Sequence, residues 1–184
     1  MRARISPGSG RPGKHKRRLP ERYATLPRIT RVHPVPYSAG QMFDLVADVE
    51  QYPQFLPLCE ALAVRSRRER EGRELLVAAM TVGYKAIRET FTSRVVLNRA
   101  ELVIDVTYVD GPFKRLENRW RFEETGPESC NVHFDIDYEF SSRMLGLVMG
   151  TMFDTAFKRF THAFEARARV VYGPPQGGAG SAGA

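Results

Sequence analysis

Only two cysteines, Cys59 and Cys130, occur in 184 residues, far apart and in no CxxC or Cys/His spacing. That excludes a disulfide framework, speaks against a structural zinc site and makes a reducing, cytoplasmic compartment the default. No apolar run approaches the roughly 20 residues that a membrane-spanning helix requires, and the N-terminus lacks the apolar core of a secretory signal. The expectation is a soluble protein, at most peripheral to a membrane. Histidine is scarce as well: His15, His33, His133 and His162 fall on the tail, the first strand, an outer strand face and the last helix. No pair of them has metal-ligand or triad spacing. A nucleophile elbow, a phosphate loop and a dinucleotide fingerprint are also missing, so the residues argue for no metal, no covalently bound cofactor and no enzymatic activity.

The balanced charge of the body excludes another class. Of 28 Lys and Arg, eight lie in residues 1 to 22 against one acid, Glu21, which equals the whole formal charge of +7. From residue 23 onward basic and acidic residues balance, so the body lacks the positive excess of phosphate-dominated binding, and DNA is not an expected partner. Residues 1–24 are rich in Arg, Lys, Gly and Pro, and are expected to be a disordered basic extension. Three readings of it stand: an incidental extension of the frame, a polybasic tail drawn to anionic lipid or RNA, and a targeting peptide, which its Gly and Pro oppose. One domain over 25–173 and a disordered Gly/Ala tail over 174–184 complete the expected organisation.

What is there reads as alternating strands between two helices. Arg28 to Val35 alternates branched and polar residues, and Pro34 favours a sheet edge. Ser38 and Gln41 form a capping box that opens a helix expected over Gln41–Val49. The segment Tyr52-Pro53-Gln54-Phe55-Leu56-Pro57-Leu58-Cys59 is too broken for a long helix and too apolar for a solvated loop. Six strands with hairpin-length joins follow: Ala61–Glu69, Glu74–Tyr84, Arg88–Asn98, Glu101–Val109, Lys114–Glu124 and Cys130–Phe140. In the last, Val132, Phe134, Ile136, Tyr138 and Phe140 face one way, while His133, Asp135, Asp137 and Glu139 face the other, as a solvated surface. Ser142 then caps a long amphipathic helix expected over Arg143–Tyr172, ended by Gly173-Pro174-Pro175. The fold class is therefore α+β, a seven-stranded curved antiparallel sheet wrapped around a long C-terminal helix. Between them lies either a packed core or a cavity for an apolar ligand, and the residues alone leave both open.

Three runs carry a family resemblance: Met42 to Cys59 with its Tyr-Pro-x-Phe-Leu-Pro motif, Tyr84 to Ser93, and Asp110 to Phe122 with its Asp-Gly-Pro-Phe motif. Over about residues 27 to 172 the chain resembles the coenzyme Q-binding family of START-like (helix-grip) proteins, within the polyketide cyclase/dehydrase superfamily. Bacterial members are also named ribosome association toxins. The resemblance implies a helix-grip fold with a deep apolar tunnel and a non-enzymatic protein. It would bind ubiquinone or a related polyisoprenoid lipid as its ligand and support respiratory electron transport or ubiquinone biosynthesis at the inner face of the respiratory membrane. A prenyl tail in such a tunnel would gain about 0.8 kcal/mol per methylene-sized group.

Strand alternation then gives the expected lining: Phe91, Val95, Val106, Tyr108, Trp120, Phe122, Phe134 and Tyr138, opposite Met149, Phe153, Phe157 and Phe160 of the helix. Phe55, Leu56, Pro57 and Phe113 are expected at the mouth, where apolar loop residues suit ligand entry and transient contact with a membrane surface. For each of these residues plain core packing is the competing account. Lys85 at the same mouth could reach a quinone carbonyl or a lipid phosphate, or sit solvated in a turn. Gly146 and Gly150 remove Cβ atoms from one helix face, which suits close packing, a partner or a gate. Asp135 and Asp137 share a face read as solvated, and the two cysteines read as small hydrophobes.

Two other functions compete. A polyketide cyclase or aromatase needs polar groups in the tunnel, and the inner face offers only Tyr108, Tyr138 and Asn118. A ribosome association toxin that binds the large ribosomal subunit and blocks subunit joining needs a basic surface. The basic tail, or the cluster Arg65, Arg67, Arg68, Arg70 and Arg73 around a hairpin, could supply it, although Glu69, Glu71 and Glu74 interleave that cluster.

Overall fold

In a computed structural model of the chain, residues 28–175 are described, apart from 85, 151 and 152 and the side chains of 145, 148–150 and 153–155. The expected basic extension lies outside the described residues, as does the Gly/Ala tail from 176 onward. Strand β1 (Arg28–Val35) is followed by helix α1 (Ala39–Ala47), a 3₁₀ turn at Val49–Gln51 and the short helix α2 (Tyr52–Phe55). Six strands come next: β2 (Cys59–Arg70), β3 (Arg73–Tyr84), β4 (Ile87–Asn98), β5 (Val103–Asp110), β6 (Phe113–Gly126) and β7 (Ser129–Phe140). Helices α3 (Arg143–Gly150) and α4 (Phe153–Tyr172) close the chain. The seven strands form one antiparallel sheet in the order β1-β7-β6-β5-β4-β3-β2. The meander from β2 to β7 thus neighbours itself throughout, and β1 returns to pair with β7 at an edge, where Pro34 costs no ladder bond on its free side.

The boundaries that differ from expectation have local causes. Helix α1 begins at Ala39 because the Ser38 hydroxyl accepts from the Gln41 amide at 3.3 Å, while the Ser38 amide donates to Gln41 Oε1 at 3.0 Å. That reciprocal box makes Gln41 the third helical residue, as its spacing from Ser38 predicts, so the helix starts two residues before the expected boundary. The helix stops at Ala47 because Asp48 leaves helical geometry and the chain tightens into the 3₁₀ turn. Strand β5 starts at Val103, not Glu101: the Glu101 amide donates to Asn98 Oδ1 at 3.2 Å and Leu102 has a positive φ of 54°. The β2–β3 turn has φ of 53° at Glu71 and 71° at Gly72, and two left-handed residues in succession suit a two-residue hairpin.

Gly111, in the Asp-Gly-Pro-Phe run, sits at φ 134° where a Cβ would come within 2.7 Å of Phe91 Cβ and 2.8 Å of its Cα. A Gly111→Ala variant is expected to lose about 1 to 3 kcal/mol of stability, read as a lowered urea midpoint with unchanged slope.

The packed core lies toward one end of the sheet. Phe43 of α1 meets Phe122 of β6 edge-on at 5.8 Å, and Met42, Val46, Leu76, Leu97, Ile104 and Val132 are buried around them. Helix α4 is tied there by its C-terminal end, where Tyr172 donates to the Gln41 carbonyl at 3.0 Å and Tyr37 to the Gly173 carbonyl at 3.0 Å.

Candidate functional site

Strand alternation gives the sheet a dry face and a wet one. On the wet face, His133 meets Glu123 at 2.6 Å, Asp135 accepts from Thr30, Asp137 from Arg115, and Glu139 from Lys114 at 2.7 Å. Every second residue of β7 from His133 to Glu139 is therefore engaged outward, and the intervening Val132, Phe134, Ile136, Tyr138 and Phe140 all border a cavity on the other side. The cavity has a volume of about 330 Å³ and lies between the inner face of the sheet, α1 and α4. That volume is at the lower end of the range for small-molecule pockets.

Its wall is almost entirely hydrocarbon. Trp120 and Phe134 lie 4.5 Å apart between ring centroids, Phe134 and Phe157 5.6 Å, and Trp120 and Phe164 5.9 Å, joining sheet to helix. Met80, Val95, Val106 and Leu116 form much of the floor. The polar groups on the wall are few, and most are bonded. Tyr52 donates to the Val46 carbonyl at 2.6 Å, Thr161 donates to the Phe157 carbonyl at 3.0 Å, and His33 is bonded to Glu165. Burial, with the negative charge that ionised Cys59 and Asp48 would add, holds the Tyr52 phenol far above its ordinary range, so it stays a neutral donor. Ser93 Oγ and Asn118 Oδ1 are the exceptions: both are buried without a hydrogen-bond partner among the described residues.

Of the residues expected to line a tunnel, Phe91, Val95, Val106, Trp120, Phe134, Tyr138, Phe157 and Phe160 border this cavity. Phe122 faces the same way but is covered by Phe43, because α1 fills that end of the sheet. Tyr108 is half-buried with its ring edge-on to Phe113 at 5.8 Å and does not border the cavity. The backbones of Met149 and Phe153 are helical, and their side chains lie outside the described residues, as does all of Lys85.

The expected mouth divides. Phe113 borders the cavity within an aromatic group that includes Phe91 at 5.5 Å and Phe140 at 4.7 Å. Leu56 borders it too, whereas Phe55 packs on Tyr52 and Phe164 under the Arg167 guanidinium, and Pro57 is half-buried off the wall. Phe55 and Phe113 thus belong to separate aromatic groups rather than to one rim.

Sequence reasoning passed over several wall residues. Ala78, Met80 and Val82 of β3 were open to the same alternation argument, and Ser93 lies on the inner parity of β4 between Phe91 and Val95. His33 and Glu165 are 132 residues apart, and nothing local in the sequence pairs them.

Cys59 and Cys130 are buried, and burial pushes both thiols from the ordinary 9.0 to about 11, with Glu124 adding to the effect at Cys130. Both remain protonated at neutral pH. Neither should be alkylated by iodoacetamide at pH 7.5 in the native state, and both should react in 8 M urea, counted by intact mass. The sign for stability follows: the unfolded chain ionises these thiols near pH 9 and the native chain near 11. Their contribution is therefore complete below about pH 9 and is lost as pH rises toward 11.

Residues 35–165 match the family described as polyketide cyclase / dehydrase and lipid transport. The chain is 37% identical over 147 residues, 80% of its length and 90% of the relative's, to the ribosome association toxin RatA of Escherichia coli K12. It is 28% identical over 140 residues, 75% of its length and 84% of the relative's, to a mitochondrial coenzyme Q-binding protein of Schizosaccharomyces pombe. Among solved structures it is similar to an 18 kDa protein of Caulobacter crescentus, with a TM-score of 0.69 at 33% identity over 81% of this chain and all of that one. A START superfamily protein of Mycobacterium smegmatis, at 22% identity and a TM-score of 0.67 over 78% of this chain and 98% of its own, shares the fold.

Proposed function

Because the chain belongs to the polyketide cyclase / dehydrase and lipid transport family, we propose that it is a non-catalytic protein that encloses an apolar lipid between sheet and helix and whose partner is the ribosome. The cavity wall carries the first half. Its side chains offer hydrocarbon on nearly every side, and its imidazole and carboxylate, His33 and Glu165, are already bonded to each other. Such a wall gains affinity from buried apolar area and, among the described residues, offers no free acid–base pair with which to drive a cyclisation.

The ribosome half is supported by similarity: the relative named for ribosome association is 37% identical, and the one named for coenzyme Q binding 28%. The outer surface is compatible with it. Around the β2–β3 hairpin, Arg67 is paired with Glu50 and Glu74, and Arg70 with Glu71, but Arg65, Arg68 and Arg73 are exposed with no ion pair among the described residues. Charges on β2 also block edge-to-edge pairing of an end strand, so the patch serves the fold in either case.

A quinone carrier at the cytoplasmic face of a respiratory membrane is the second reading, favoured by the same apolar cavity together with the coenzyme Q-binding relative. No helix among the described residues is long and apolar enough to cross a membrane, so such a protein would touch the bilayer by its surface.

Co-sedimentation with ribosomal subunits at physiological salt, run beside mass spectrometry of lipid extracted from the purified protein, separates the readings. The proposal expects the full-length chain in the subunit fraction, with pelleting lost in an Arg65→Glu/Arg68→Glu/Arg73→Glu variant. Stoichiometric quinone with no pelleting would replace it with the carrier reading.

A further inference from the structure

We propose that Ser93 and Asn118 form a polar anchor in the cavity and select a lipid whose head carries a hydroxyl group. The inference rests on the cavity being the ligand site and goes further by naming the chemistry of the ligand's polar end. Ser93 is 5% exposed and Asn118 is half-buried, both border the cavity, and neither Ser93 Oγ nor Asn118 Oδ1 has a hydrogen-bond partner among the described residues. Native proteins rarely bury such atoms unpaired, because the group loses water and gains nothing in return.

Register places both residues on the inner face of the sheet, on strands separated by β5. Val95, two residues after Ser93 on β4, pairs with Val106 on β5, and Val106 pairs with Asn118 on β6. The inner positions that flank them, Phe91, Val95, Leu116 and Trp120, are all apolar. Alanine at 93 and leucine at 118 would continue that pattern without an orphaned atom. The polar side chains therefore work against the stability of the empty protein, and a ligand group that bonds to them offsets the loss.

The atoms state what that group must be. A side-chain amide oxygen only accepts, so whatever meets Asn118 Oδ1 must donate, whereas a serine hydroxyl can do either. A ligand hydroxyl donates to Asn118 and accepts from Ser93. An ether lacks the proton and leaves the amide oxygen unpaired. The remainder of the ligand is fixed as hydrocarbon by the rest of the wall.

The test compares farnesol with farnesyl methyl ether, which differ at the donor. Trp120 is the sole tryptophan and borders the cavity, so its emission reports binding to the full-length chain. The wild type should bind farnesol about tenfold or more tightly than the ether, as expected for one buried hydrogen bond left unmade. Ser93→Ala/Asn118→Leu should bind the two alike within about twofold, and its melting temperature without ligand should be unchanged or higher by about 2 to 4 °C. The single Ser93→Ala variant, which changes least in shape, should lose part of the preference and is read if the double variant does not fold.

Equal binding by the wild type overturns the proposal alone, and means that the two atoms are satisfied by buried water. Preference that survives in the double variant overturns it as well. If neither compound alters Trp120 emission, the cavity reading falls with it. A lowered melting temperature in Ser93→Ala would assign the serine to structure and likewise overturn the proposal.

Discussion

A Phe164→Ala variant should lose about 3 to 5 kcal/mol of stability, the largest single effect expected from any cavity-facing residue. Phe164 is 6% exposed on α4, and its ring is edge-on to Tyr52 at 5.5 Å, Phe55 at 5.4 Å and Trp120 at 5.9 Å. Three separate parts of the chain meet there: the proline-broken turn, the centre of β6 and the closing helix. Removing the ring leaves the turn without its main partner and widens an existing cavity instead of letting the surroundings collapse into it. The cost therefore falls at the upper end of the range for large-to-small changes. Equilibrium urea unfolding measures it. A loss below about 1 kcal/mol would mean that α4 does not depend on this contact to stay on the sheet. Phe157→Ala, whose ring is half-buried, should cost less stability and more ligand affinity.

That contrast also explains what the sequence made legible. The order of elements and the inward parity of β7 follow from hydrophobic period alone, and β6 shows where period stops sufficing. A register shift between Phe113 and Arg115 changes the parity, so that Phe113 shares the inner face with Leu116, Asn118 and Trp120. A bulge leaves no mark in a pattern of apolar residues. Phe122 shows a second limit. It continues the inward parity of β6, but whether an inward side chain meets a cavity or a neighbour depends on where α1 lies, and Phe43 takes that place. The motif Tyr-Pro-x-Phe-Leu-Pro reads as an apolar turn, and its role emerges only with Phe164, more than a hundred residues later. Long-range pairs such as His33 with Glu165 or Tyr37 with Gly173 are set by tertiary geometry and have no local signature.

Filling the cavity separates its ligand from the protein's other partner. Val106 lies at the centre of the floor, opposite Val95 and Asn118, and a Val106→Phe variant places a ring in space that the wild type leaves open. Larger side chains destabilise cores that are already full; here the ring has room, so stability should change by less than about 1.5 kcal/mol. Affinity for farnesol, read from Trp120 emission, should fall at least tenfold. Successive residues of a strand point to opposite faces, so the outer surface, with Arg65, Arg68 and Arg73, is untouched. Pelleting with ribosomal subunits should therefore persist within about twofold. If farnesol binding and pelleting are lost together, the two sites are coupled. Linkage then requires the reverse effect, that ribosomal subunits change the protein's affinity for its lipid by the same factor. Lipid in the cavity would in that case be a regulator of ribosome association rather than a separate cargo, and titrating farnesol against pelleting of the wild type would measure the coupling.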